Sequence, residues 1–148
     1  MVTDPEYAGG QYTNSPKLMT VALLHNLNLT TPQARVEQTQ TAAFEKFFAD
    51  IEKEGIGKAD ANNWRWQIHA ILGQDVGAGS SLADAARKVK ARVLVVNAQQ
   101  DHIVNPIPAI NFARLIHAKL LILEGECGHL APGCEANLVR PAIAAALQ

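Results

Sequence analysis

The chain has 148 residues, 48% of them hydrophobic and 18% charged, with a formal net charge of −1. This is the balance of a globular protein with a core, and it gives no electrostatic reason to expect nucleic acid or anionic lipid as a partner. No apolar run approaches the ~20 residues of a membrane span. The opening residues Met1 to Tyr7 lack the basic and apolar regions of a signal peptide, so the expectation is a cytoplasmic protein with no membrane partner.

Residues 1–16, rich in Gly, Pro, Asn and Thr, read as loop. Lys17 to Leu29 reads as a helix. Thr31-Pro32 supplies an N-cap and a first-turn proline for a second helix running to about Glu54 and stopping at Gly55. Phe44, Phe47, Phe48 and Ile51 fall at i, i+3, i+4 and i+7, which makes one apolar stripe. A further helix starts near Asp60, with Trp64, Ile68, Ile71 and Leu72 on one face and Trp66 and Ala70 on another. A polar Gly- and Ser-rich connection, Gln74 to Ser81, follows.

Beyond it the pattern alternates. Leu82 to Lys88 is a short helix with Ser81 as its N-cap. Arg87, Lys88, Lys90 and Arg92 mark a solvated helix end leading into a strand. Ala91 to Ala98 is a β-branched run expected to be a strand buried on both faces, Pro108 to His117 is helical, and Lys119 to Leu123 is a second buried strand. Glu135 to Leu147 closes the chain as a helix with Val139, Ile143, Ala146 and Leu147 inward. Helix–strand–helix–strand–helix is the pattern of a parallel sheet's edge. Two strands do not make a stable parallel sheet, so the chain reads as a portion of something larger.

Ligands of open parallel sheets bind at the loops after the strands' carboxyl ends. Two such loops occur here, Gln99 to Pro106 and Glu124 to Ala131. Asp101 lies in the first and His129 in the second, 28 positions later. One helix and one strand between them can return the chain to the same sheet edge. A carboxylate beside an imidazole fixes its tautomer and leaves the other ring nitrogen as a general base.

The segments NAQQDHIVNP (97–106) and ECGHLAPGCE (126–135) resemble the acid and histidine loops of α/β-hydrolases, in particular the homoserine O-acetyltransferase group. DPEYAGGQY (4–12) and DANNWRWQIHAILGQDVG (60–77) resemble segments of the same group, in the same order. The resemblance covers almost the whole chain as one continuous C-terminal part. It implies a helical lid over residues 1–75, then a C-terminal α/β portion over 76–148 holding the last two parallel strands with flanking helices. Asp101 and His129 would be the acid and base of a catalytic triad. In the complete enzyme a serine would attack an acyl donor such as acetyl-CoA and pass the acyl group to a homoserine-like hydroxyl, or to water in an esterase.

The chain departs from the pattern at the nucleophile. Its serines are Ser15, Ser80 and Ser81, and none lies in a Gly-x-Ser-x-Gly elbow. The expectation is an incomplete triad, inactive alone. The alternative is a non-catalytic, shortened relative acting as a dimerisation or binding module. Its partner would be a second copy joined through the lid helices, as lids of the wider family dimerise, or a missing N-terminal half.

Simpler roles compete at each position. Asp101 could cap a loop turn. His102 reads as a solvent-facing neighbour, and a metal site from Asp101, His102 and His129 is chemically possible but nothing fixes its geometry. His25, His69 and His117 read as surface or satisfied residues, and Trp64 and Trp66 as packing anchors. Cys127 is too close to His129 on one loop to align as its nucleophile. Cys127 and Cys134 match no metal-ligand spacing; they could pair, but two cysteines do not define a disulfide scaffold. No cofactor motif is present.

Overall fold

The computed structural model describes residues 1–57 and 59–148. The chain divides into two compact units, one formed by Met1–Leu27 and Val36–Gln74, the other by Asn28–Arg35 and Asp75–Gln148. The helices are α1 (Met19–Asn28), α2 (Pro32–Gln38), α3 (Phe44–Glu54), α4 (Ala61–Leu72), α5 (Leu82–Lys88), α6 (Pro106–Leu115), α7 (Ala131–Cys134) and α8 (Ala136–Ala146). The strands are β1 (Leu94–Ala98) and β2 (Lys119–Leu123).

The first unit is helical and has a small core of Tyr7, Leu18 and Ala61, joined by Met1, Tyr12, Val21 and Ile56. Polar anchors fix its N-terminal segment. The Tyr7 hydroxyl donates to Asn62 Oδ1 at 2.8 Å, and the Tyr12 hydroxyl donates to Asp60 Oδ2 at 2.8 Å. Asp60 also caps α4, its Oδ1 accepting the Asn63 N–H at 3.0 Å. Residues expected to be loop therefore contain a 3-10 turn, Pro5–Gly10, which Asp4 starts by accepting the Glu6 N–H.

The helix expected from Pro32 to Glu54 is interrupted. α2 ends at Gln38, Gln40 is extended at ψ 156°, and a 3-10 turn over Thr41–Ala43 leads into α3. The expected apolar face of α4 is open as well. Only Ala61 of that helix is buried, whereas Ile68, Ile71 and Leu72 of the expected face are 43%, 71% and 78% exposed. Of the phenylalanine stripe on α3, Ile51 is buried and Phe44 and Phe48 are exposed.

The second unit holds a two-stranded parallel sheet, paired from Leu94↔Lys119 to Ala98↔Leu123. Strand alternation puts Val96, Ala98, Leu121 and Leu123 on one face, where Ala131, Cys127 and Val139 pack against them. Only Ala98 and Leu123 are fully buried, so the strands are half-buried rather than covered on both faces. Each strand has one strand neighbour and helices cover the rest only in part.

Ser81 caps α5 as expected, in a reciprocal capping box with Asp84. The Asn105 side chain accepts the Ile107 N–H and Pro106 occupies the first turn, so α6 begins two residues earlier than the apolar pattern suggests. The closing helix is preceded by the separate turn α7. Val139 packs on the core, while Ile143 and Leu147 of the expected inner face are exposed.

Candidate active site

Both strands run in the same direction, so their carboxyl ends deliver Asp101 and His129 to one edge of the sheet. The ladder continues one step past β1, with the Gln99 N–H donating to the Leu123 carbonyl at 2.9 Å. This sets the register from which both loops depart. Asp101 then turns back on its own loop. Its Oδ1 accepts the N–H groups of Ile103 and Val104, both at 2.8 Å. The turn-capping role and the pairing role are both present, on different oxygens, because Oδ2 lies 2.9 Å from Nδ1 of His129.

The side chain of Asp101 is 14% exposed and that of His129 is 37% exposed. Burial pushes the Asp101 carboxyl up, but the Val104 N–H, His129 and the Ile103 N–H together outweigh it. The net result lies below the ordinary carboxylate range. An ionised Asp101 is the species that accepts a hydrogen bond from Nδ1–H and fixes the tautomer with Nε2 as the free base. Nε2 makes no hydrogen bond among the described residues.

The backbone holding His129 is tightly specified. His129 sits in a 3-10 turn, Gly128–Leu130, directly before α7. Gly128 has φ 58°, and a Cβ there would approach Leu29 O and Thr30 Cα at 3.1 Å. Glycine is required both by that left-handed conformation and by the close backbone approach. Two residues earlier, the Glu126 carbonyl accepts the Thr31 N–H at 3.2 Å. The Thr31 hydroxyl lies 2.8 Å from that carbonyl and 2.9 Å from Glu126 Oε2, and it accepts the Ala34 N–H at 3.1 Å. Glu126 Oε1 in turn accepts the Gln100 amide at 3.1 Å.

Gln100 and Glu126 carry no signal in the sequence that links them to the pair. Thr31 was legible as an N-cap, but its second partner is 95 residues away and had no local signal. The remaining residues of interest lie apart from the pair. Ser15 bonds to Ala59 and Ala61, Ser80 to Gly77, and Ser81 to Asp84. Cys127 and Cys134 form a disulfide, so neither carries a thiol. His102 does not join the pair, and among the described residues no group of three His, Cys, Asp or Glu side chains is placed to hold a metal.

No family model and no curated protein sequence matches the chain. Among solved structures it is similar to the homoserine O-acetyltransferase of Bacillus anthracis, with a TM-score of 0.77 and 23% sequence identity. The match covers 94% of this chain and 44% of that one. The fold is that of the C-terminal part of an α/β-hydrolase. Within an α/β-hydrolase fold the acid and the histidine follow the late strands in this chain order, and the serine elbow precedes both. The chain thus spans less than half of the solved hydrolase-fold structure. Among its described residues no helix is long and apolar enough to cross a membrane.

Proposed function

We propose that Asp101 and His129 are the acid and base of an α/β-hydrolase triad whose nucleophile lies outside these 148 residues. One observation carries this reading: Asp101 Oδ2 and His129 Nδ1 are 2.9 Å apart at the carboxyl ends of paired parallel strands. A hydroxyl brought to Nε2 would lose its proton to His129 as it attacks an acyl carbon. His129 would then return a proton to the leaving group, with Asp101 stabilising the imidazolium between the two steps. The reaction class is acyl transfer from a small-molecule acyl donor to a hydroxyl acceptor, or ester hydrolysis where water replaces the acceptor. The solved neighbour is a homoserine O-acetyltransferase, which favours transfer. The same reading places the protein in the cytoplasm.

The test is p-nitrophenyl acetate turnover. The 148-residue chain alone should match the uncatalysed background. A longer polypeptide containing these residues and a Gly-x-Ser-x-Gly elbow should turn the ester over, and lose roughly three or more orders of magnitude on His129→Ala. Turnover by the short chain that His129→Ala removes would overturn the requirement for an outside nucleophile.

A second reading rests on α4. Ile68, Ile71 and Leu72 form an exposed apolar surface, as a dimerisation or binding module without catalysis would require. Under that reading the Asp101–His129 pair is inherited architecture, and the helices of residues 1–75 carry the function.

A further inference from the structure

The histidine loop is closed covalently. Cys127 precedes the 3-10 turn holding His129, Cys134 ends α7, and a disulfide joins them across a sequence separation of 7. The two ends of this ring sit in different surroundings. Cys127 is half-buried and packs against Ala98, Leu123 and Ala131, whereas Cys134 is exposed.

The restraints on His129 are also unequal along the chain. On its N-terminal side, Glu126 is bonded to Thr31 and Gly128 lies against Thr30. On its C-terminal side stands α7, a helix of 4 residues, held to the core at its first residue, Ala131, and exposed at its last, Cys134. The disulfide ties that single turn back to the core-packed Cys127.

We propose that Cys127 and Cys134 are positioning residues forming a redox site, which holds His129 against Asp101 when oxidised and releases it when reduced. This rests on the pairing assigned above and deepens it. The reductant is a dithiol. Its thiolate attacks the sulfur of Cys134, the exposed residue of the pair, the S–S bond breaks, and Cys127 leaves as a thiolate and takes up a proton. The dithiol's second sulfur then displaces Cys134 from the mixed disulfide. Two electrons pass to the protein, which ends with two thiols, and the dithiol ends as a disulfide. Disulfides in reducing compartments are typically transient or sensing ones, which suits a bond enclosing a catalytic base.

The readout is the tautomer of neutral His129 in the full 148-residue chain, followed by long-range 1H–15N correlation before and after dithiothreitol. The oxidised chain should show the Nδ1–H form that Asp101 selects, and reduction should make the Nε2–H form the majority, with the β1 and β2 amide signals retained. The variant Cys127→Ser with Cys134→Ser should show the reduced pattern and ignore dithiothreitol. An Nδ1–H form in both redox states overturns the redox role and leaves the Asp101–His129 pair standing. An Nε2–H form in both overturns the pair itself and the gating with it. Loss of the strand signals on reduction would make the disulfide a staple of the whole unit and also overturn the proposal.

Discussion

The side-chain amide of Gln100 donates to Glu126 Oε1 at 3.1 Å, so the residue before Asp101 is tied to the loop that carries His129. The two loops thus meet twice, once through the Asp101–His129 pair and once through this bond. Glu126 also accepts from Thr31, which is fully buried at the start of α2. The position of His129 therefore depends on a hydroxyl far from it in sequence.

Thr31→Val tests that dependence. Valine keeps the shape but removes the cap of the Ala34 N–H and the bonds to Glu126. Loss of an N-cap costs about 0.5–2 kcal/mol, and the stranded N–H belongs to buried Ala34, which adds to it. The expected loss is about 1–3 kcal/mol in urea unfolding at unchanged m. A change below about 0.5 kcal/mol would show that Thr31 is not structurally coupled to the loop.

Gly128→Ala should be as damaging for a different reason. Alanine at φ 58° is strained, and its Cβ would press on Leu29 O and Thr30 Cα at 3.1 Å. The expected cost is about 1–3 kcal/mol, with the His129 ring signals displaced. An unchanged unfolding midpoint with unshifted ring signals would contradict the close approach.

Asp101 gives the chain an acid-sensitive contribution. Its carboxyl lies below the ordinary carboxylate range when folded, although burial alone would raise it. A depressed folded pKa stabilises the fold above the unfolded value of about 3.9 and ceases to do so as pH falls through the folded value. Wild type should therefore exceed Asp101→Asn in urea stability at pH 7, and the gap should close below about pH 4. A gap that is the same at pH 7 and pH 3 would mean the carboxylate charge is not what stabilises the loop.

Much of the α/β unit was readable because its signals are local. The runs at Leu94–Ala98 and Lys119–Leu123 are β-branched or aliphatic, and Ser81 and Asp60 sit where caps must sit. The strand–helix–strand spacing then places Asp101 and His129 at one edge without further information. What was missed depended on distant partners. The α2–α3 break shows no glycine or proline, and Thr31, Gln100 and Glu126 are linked only by the fold. Burial was overestimated for the strands and for α4, because apolar periodicity shows which face seeks cover, not whether cover is present.

That open face yields the prediction separating the two functional readings. Ile71 and Leu72 of that face are exposed, so replacing them by glutamate removes no buried contact of comparable size. Unfolding free energy should change by no more than about 0.5 kcal/mol per substitution. If α4 mediates self-association, the wild-type chain should sediment above its monomer mass of 15.9 kDa in a concentration-dependent way. Ile71→Glu with Leu72→Glu should then sediment as a monomer at every concentration. A wild-type chain that is already monomeric at high concentration would remove the homodimer form of the second reading. The exposed α4 face would then be left to a partner other than a second copy of this chain.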